Sequence, residues 1–206
     1  MFHNCQEAEQ AFNDCWLNPE YTQIELDNVD VNALLPFYHT NKPVQFTGTM
    51  LWDMETKKAW NPGKYIPYVV KKDSARSWGK HTCPLMGGDI FVRSSLQKQW
   101  LNPDIYEEVY EEVYVNPHKK LITFLGTISL PEMSHTLSPK QPLFHVQHGV
   151  AGSETHPINT WCIVHLTQKN DPILIQHFKN LNQPNTLPGF ITEYIEKDLQ
   201  IAIQHT

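Results

Sequence analysis

The sequence predicts an α+β fold, an antiparallel sheet of about five to seven strands with helices at the two chain ends. Three observations lead there. The last third reads as a long strand hairpin over residues 142–167, followed by an amphipathic helix over about 188–204. An earlier run, Val113 to Val115, then Asn116-Pro117-His118-Lys119-Lys120, then LITFLGTISL, reads as a second hairpin around a turn. A stretch at about 4–16 places Cys5, Ala8, Phe12, Cys15 and Trp16 on one helical face. A length of 206 residues suffices for one sizeable core and predicts a single domain over 1–206.

Taken in order, the first helix stops at Asn18-Pro19, because the residue before a proline is pushed out of the helical region. Tyr21 to Val31 alternates in part and suggests a first strand. Residues 44–70 are ambiguous. VQFTGTMLWDM suits a strand, whereas MLWDMETKKAW suits a helix with Met50, Met54 and Lys57-Lys58 in step. Asn61-Pro62-Gly63 is a break, and Pro67 interrupts the segment after it. Residues 89–100 have strand composition. EEVYEEVY repeats every four residues, and the hairpin that follows argues for a strand. Residues 131–142 form a proline-bearing loop. Asp171-Pro172 is an N-cap followed by a good first helical residue, so a short helix precedes the last one. In that last helix Ile191, Ile195, Leu199 and Ala202-Ile203 make one apolar stripe, which calls for a partner surface.

Composition excludes several classes. Hydrophobic residues at 40% and charged residues at 18% describe a soluble globular protein. A net charge of -6 with no concentrated basic run argues against nucleic-acid binding. The N-terminal residues carry no secretory signal pattern and no stretch reaches the ~18 apolar residues of a membrane span, so the expectation is a cytoplasmic protein with at most transient membrane contact. Four cysteines without a CxxC pair read as reduced thiols.

The segments YEEVYVNPHKKLITFLGT, NTWCIVHLTQKNDP with Pro157 before it, and LPGFITEYIEKDLQIAI resemble the C-terminal part of a START domain. More broadly they resemble the helix-grip superfamily that includes birch-pollen-allergen-like and polyketide cyclase proteins, over about residues 89–204. The resemblance implies a curved sheet gripping a long C-terminal helix, with a lipid-sized tunnel between. Members bind, carry or sense lipids and other apolar molecules, and some are cyclases or hydrolases. The Arg-Asp pair common in the strand region of many START domains is absent, with Arg93-Ser94 the nearest approach.

The expected function is therefore binding or transfer of a lipid or other apolar small molecule between sheet and C-terminal helix, with no cofactor. The expected ligand-binding residues are Trp161, Ile163, His165, Tyr110, Tyr114, Phe124, Ile191, Ile195 and Leu199. On the last strand Asn159, Trp161, Ile163 and His165 share a face that mixes aromatic and polar groups; Thr160, Cys162, Val164 and Leu166 share the other. Either face suits the interior. His145 and His148 invite a metal reading, but side chains three apart on a strand point to opposite faces, so no metal site is expected. The same spacing separates Cys162 from His165 and argues against a catalytic dyad. Glu108, Tyr110, Glu112 and Tyr114 share one face of their strand and Val109, Glu111 and Val113 the other, as on a sheet with one wet side or a charge-guarded edge. Trp52, Trp60, Trp78 and Trp100 are core residues or caps on a pocket mouth. There is no GxSxG elbow, and Met86-Gly87-Gly88 reads as a turn rather than a phosphate loop. Two other readings stand beside the binding protein: an enzyme on the same fold using His165 with a tyrosine or glutamate, and an interaction module with a filled core.

Overall fold

A computed structural model describes residues 1–83, 87–138, 143–166, 169, 171–181 and 183–206. The chain begins with helix α1 (Cys5–Trp16), then the short strands β1 (Thr22–Glu25) and β2 (Val29–Asp30), and a single helical turn α2 (Val31–Leu34). Strand β3 (Tyr38–Thr40), helix α3 (Gly48–Trp60) and the turn α4 (Pro62–Tyr65) follow. Five strands come next: β4 (Arg76–Thr82), β5 (Asp89–Lys98), β6 (Tyr106–Asn116), β7 (Leu121–Thr127) and β8 (Phe144–Gly152). Strand β9 (Pro157–His165), helices α5 (Pro172–Leu181) and α6 (Gly189–Lys197), and strand β10 (Ile203–His205) complete it. This is an α+β fold with a large antiparallel sheet and few helices, as the sequence predicts.

The sheet has the order β1-β9-β8-β7-β6-β5-β4, and β2 also pairs with β9. The two hairpins form where expected. One turns at Asn116–Lys120 with Lys120 at φ 46°, the other beyond Gly152 at φ 78°. The outer ends of the second hairpin, residues 142 and 167, lie outside the described residues, as does Met86 of the expected turn; the Gly87 N–H donates to the Cys83 carbonyl at 3.0 Å and the Gly88 carbonyl accepts from the Cys83 N–H at 2.7 Å. Strand β4 is an addition that the sequence concealed. Its side chains are largely exposed at the sheet edge, so RSWGKHT shows no apolar alternation.

Register sorts the side chains into two faces. Ile24, Ile163, Val146, Phe124, Val113 and Phe91 lie opposite one another across successive strands. So do Gln23, Val164, His145, Leu125, Glu112 and Val92, on the other side. Helix α1 covers the second face, where Cys5, Ala8 and Phe12 pack with Ile90, Tyr114, Leu125 and Val164. Asn4 caps it, its side chain accepting from the Glu7 N–H at 2.9 Å. Helix α3 lies across β7, β8 and β9 on the first face. Helix α5 covers the same face beside β1, with Leu174 and Phe178 against Ile24 and Ile163. Asp171 caps α5 by accepting from the N–H groups of Ile173 and Leu174.

Two expectations are corrected. The C-terminal helix ends at Lys197 instead of running to 204. Gln200 takes φ 54°, the chain turns, and Ile203–His205 pairs with Tyr38–Thr40. The helical stripe is real, but Ile191 and Ile195 pack on Leu51, Met54 and Tyr65 of α3 and α4, so α6 lies mainly against helices while its Phe190 reaches Trp161 and His148 on the sheet. The second correction concerns EEVYEEVY. Strand β6 is central, between β5 and β7, and from Tyr110 to Asn116 it is buried apart from the half-buried Glu112, so it is no edge and is wet only toward its start at Tyr106–Val109. Both α3 and α6 are shorter than a membrane span, and no described helix is long and apolar enough to cross a bilayer.

Candidate functional site

The face bearing Trp161, Ile163 and His165 is the one held under α3, α5 and α6, while Cys162, Val164 and Leu166 pack with α1. The interior between this face and α3 is apolar around Ala59, Phe91 and Phe124 but also holds buried charged groups. Helix α3 starts at Thr47, whose hydroxyl accepts from the Met50 N–H at 3.0 Å, and this sets the phase that turns Glu55 and Lys58 inward. Glu55 is fully buried, and Lys58 nearly so. The Lys58 ammonium donates to Glu55 Oε1 at 2.9 Å and stands 3.0 Å from His148 Nδ1. Its remaining side lies 3.7 Å from the centre of the Phe190 ring. Asn159 Nδ2 donates to the same Glu55 oxygen at 2.8 Å. Glu55 Oε2 is 2.8 Å from the Lys58 nitrogen as an ion contact but receives no hydrogen bond among the described residues, and Asn159 Oδ1 receives none either.

Electrostatics follows from this packing. Burial pushes the Glu55 carboxyl upward, but Lys58 and His148 together outweigh it and hold the group down at about 2, as a carboxylate. Burial lowers the Lys58 and His148 pKa values, and the Lys58 charge lowers that of His148 further. A neutral His148 with its proton on Nε2 is the tautomer that lets Nδ1 accept from the ammonium.

A second ion pair sits deeper along the strands. Arg93 on β5 and Glu111 on β6 are in register and buried, with Nε to Oε2 at 2.6 Å. The guanidinium also donates to the carbonyl of Ala59 on α3 at 3.0 Å and lies over the Phe124 ring. A charged pair therefore does occupy the interior, although no Arg-Asp dipeptide announces it.

Two spaces open beside these ions. An open groove of about 560 Å³ runs between α3, α4 and the ends of β5 and β6. Trp52, Trp60, Tyr65 and Phe91 give it aromatic walls, and Lys57, Lys64 and Asp198 give it a charged rim. Asp198 just past α6 accepts from Lys57 at 3.2 Å, Lys64 at 2.8 Å and the Tyr65 hydroxyl at 3.0 Å. The second space is a chamber of about 80 Å³ over the other end of β5 and β6, lined by Gln97, Trp100, Tyr110, Glu111, Phe144 and Ile163 among others.

The nine expected ligand residues do not share one space. Ile163 and Tyr110 line the chamber. Trp161 lies between His148 and Phe190, and His165 stacks on Phe144 at 4.6 Å. Phe124 sits beneath Arg93. Tyr110 and Tyr114 belong to the α1 face, because their strand alternates. The Tyr114 hydroxyl accepts from the Phe2 N–H and donates to Glu112, and that of Tyr110 lies 3.0 Å from His135 Nε2. Ile191, Ile195 and Leu199 pack in the helical cluster. His145 and His148 point to opposite faces, as do Cys162 and His165, which follows from their spacing. Sequence reading gave no site role to Lys58 or Glu55, whereas Trp52 and Trp60, two of its four candidate pocket-mouth caps, do line the groove. Their segment was open between helix and strand, and only the helical phase puts Glu55 and Lys58 three apart on one face.

Two buried histidines, His148 and His165, and the half-buried His145 make stability depend on pH. Burial lowers the pKa of His145 to about 4 and lowers those of His148 and His165. Unfolding returns each toward its ordinary 6.5. Between about pH 6.5 and pH 4 the unfolded chain binds more protons than the folded one, so stability falls as pH falls. Glu55 extends the trend, because its contribution is present above its unfolded 4.5 and is lost toward 2. The thermal midpoint should decline steadily from pH 6.5 to 4 in a calorimetric series; a flat profile would show that these imidazoles take protons without unfolding.

No family model matches the chain, and a search of curated proteins finds no match. Among solved structures the chain is similar to truncated norcoclaurine synthase from Thalictrum flavum, with a TM-score of 0.45 and 12% identity over 89% of this chain and 98% of that one. The same enzyme in complex with dopamine and hydroxybenzaldehyde gives 0.44 and 11% over 88% and 89%. The di-domain ARO/CYC protein BexL from the BE-7585A biosynthetic pathway gives 0.42 and 14% over 74% of this chain, which spans 39% of BexL. Likeness at this level carries neither an activity nor a residue role to this chain.

Proposed function

We propose that this chain is a binding or carrier protein for an apolar, ring-sized small molecule, held between the sheet and the helices that cover it. The supporting observation is the 560 Å³ groove, whose size falls within the ~300–1,000 Å³ of ligand sites and whose aromatic walls surround a few polar groups. The ligand lies at the open end of the sheet–helix interface, against Trp52, Trp60 and Phe91, with Lys57 and Lys64 at the rim. Burial of an apolar ring against those walls supplies affinity; the lysines orient a polar substituent. The 80 Å³ chamber with Ile163 and Tyr110 is an inner extension of the same interface. Cytoplasmic placement and at most transient membrane contact complete the reading.

Trp60 is the residue to test. It is 39% exposed and meets Phe91 edge to face at 5.0 Å, so truncating it removes a wall of the groove without opening the core. Titration with 1-anilinonaphthalene-8-sulfonate, read by tryptophan-to-probe energy transfer, should show one saturable site. Trp60→Ala should weaken it about tenfold, as expected for losing ~1.4 kcal/mol of contact, with the thermal midpoint almost unchanged. Binding that survives Trp60→Ala undiminished, or native mass spectra showing no small molecule retained by the wild type, would remove the groove as the site.

A further inference from the structure

The groove and the chamber lie on the same sheet face, and the Arg93–Glu111 pair lies between them, flanked by the buried Ser95, Val113 and Phe124. Along β5, Phe91 borders the groove, Arg93 comes next on that face, and Gln97 borders the chamber. Along β6, Val115 borders the groove and Glu111 the chamber. A strand rises about 3.3 Å per residue, so Arg93 sits about 7 Å beyond Phe91 and about 13 Å before Gln97. Its guanidinium is tied downward to Glu111 at 2.6 Å and upward to the Ala59 carbonyl at 3.0 Å, and it covers the Phe124 ring at 4.4 Å. It thus bridges from the sheet to α3 between the two spaces.

We propose that the Arg93–Glu111 pair is a length gate: it divides the sheet–helix interface into an outer groove and an inner chamber, and so restricts the ligand to ring-sized molecules and excludes long acyl chains. This rests on the binding function proposed for the groove. The gate is built to stay shut. Two hydrogen bonds and a ring contact hold the guanidinium, and both charges are buried, so displacing it to let an apolar ligand through would strand Glu111 without its partner. An acyl chain offers no group to replace those bonds, whereas a ring in the groove need not disturb them. The pair is therefore a specificity-determining element that does not itself need to touch the ring.

The test removes both charges together, so that neither is left buried alone. Arg93→Ala with Glu111→Ala should join the two spaces. Wild-type protein should bind 1-anilinonaphthalene-8-sulfonate and show no one-to-one palmitate complex by native mass spectrometry. The alanine pair should bind palmitate one-to-one, at least tenfold more tightly than wild type, with affinity for the naphthalene probe kept within threefold. Arg93→Met with Glu111→Leu, which removes charge but refills the space, should behave as wild type toward palmitate. Where the alanine pair does not fold, Arg93→Val with Glu111→Val carries the same comparison with β-branched side chains suited to the strands. The gate is refuted by wild-type protein binding palmitate as tightly as the opened variant, by a folded opened variant that gains none, or by the Met/Leu pair gaining as much as the alanine pair. A wild type that binds neither probe, with an opened variant that binds palmitate, would instead refute the groove as binding site and leave the partition standing.

Discussion

Replacing Lys58 by methionine is expected to destabilise the protein by about 3–5 kcal/mol. Methionine keeps most of the side-chain volume, so the loss comes from charge and not from a cavity. Glu55 would remain fully buried, 2.8 Å from where the ammonium stood, with Asn159 donating to it and His148 Nδ1 3.5 Å away. Its carboxyl, now held at about 2 by Lys58 and His148, would lose the Lys58 charge. Two consequences can be measured by urea unfolding. The variant should be more destabilised at pH 7 than at pH 5, because low pH lets Glu55 take a proton and shed its buried charge. Adding Glu55→Leu should recover most of the loss, since replacing both members of a buried pair by apolar groups of similar volume is often neutral. A Lys58→Met protein as stable as wild type at pH 7 would mean that Glu55 already reaches solvent, which would contradict the enclosed interior.

Phe190→Ala is expected to cost about 3–5 kcal/mol, the range for truncating a buried phenylalanine. Phe190 is the residue by which α6 reaches past the helical cluster to the sheet. Its ring lies 3.7 Å from the Lys58 nitrogen and within 6.2 and 6.5 Å of the His148 and Trp161 ring centres. Truncation leaves the ammonium without the ring that covers its third side, so a cation–π loss of about 2 kcal/mol falls within that total. The effect should show as lost hydrogen-exchange protection across Gly189–Lys197 and the β10–β3 pair before the large sheet is affected. A change below about 1 kcal/mol would mean that Ile191 and Ile195 alone dock the helix. Phe190→Leu, which restores bulk without the π face, should recover the packing share and not the cation share.

Much of the fold was legible because its signals are local. Asp171 caps its helix at the expected place, and Asn116–Lys120 turns the hairpin, because caps and turns depend on a few adjacent residues. The two hairpins and the alternation of Trp161, Ile163 and His165 against Cys162, Val164 and Leu166 followed from the two-residue period of a strand. Helix α3 was hidden for a physical reason. Two of its inward positions carry Glu55 and Lys58, so the apolar stripe that marks a helix is interrupted by the very residues that pair inside it. The end of α6 was hidden as well. Leu199, Ile201 and Ile203 continue an apolar pattern and pack half-buried against the helical cluster, yet Ile201 and Ile203 do so from a non-helical segment after Gln200 has turned the chain.

From the sequence alone came the α+β class, the strand pairing around its turns, the separation of His145 from His148 and of Cys162 from His165, and the existence of two distinct faces on the last strand. All of these are periodicity statements, and periodicity is a property of neighbours along the chain. Which face meets the helices, that α6 rests on α3 and α4, and that Arg93 meets Glu111 while Lys58 meets Glu55 and His148 were decided only by tertiary structure. Arg93 and Glu111 are 18 positions apart, Lys58 and His148 are 90 apart. Burial makes such contacts strong and register makes them possible, and neither can be read before the sheet is assembled.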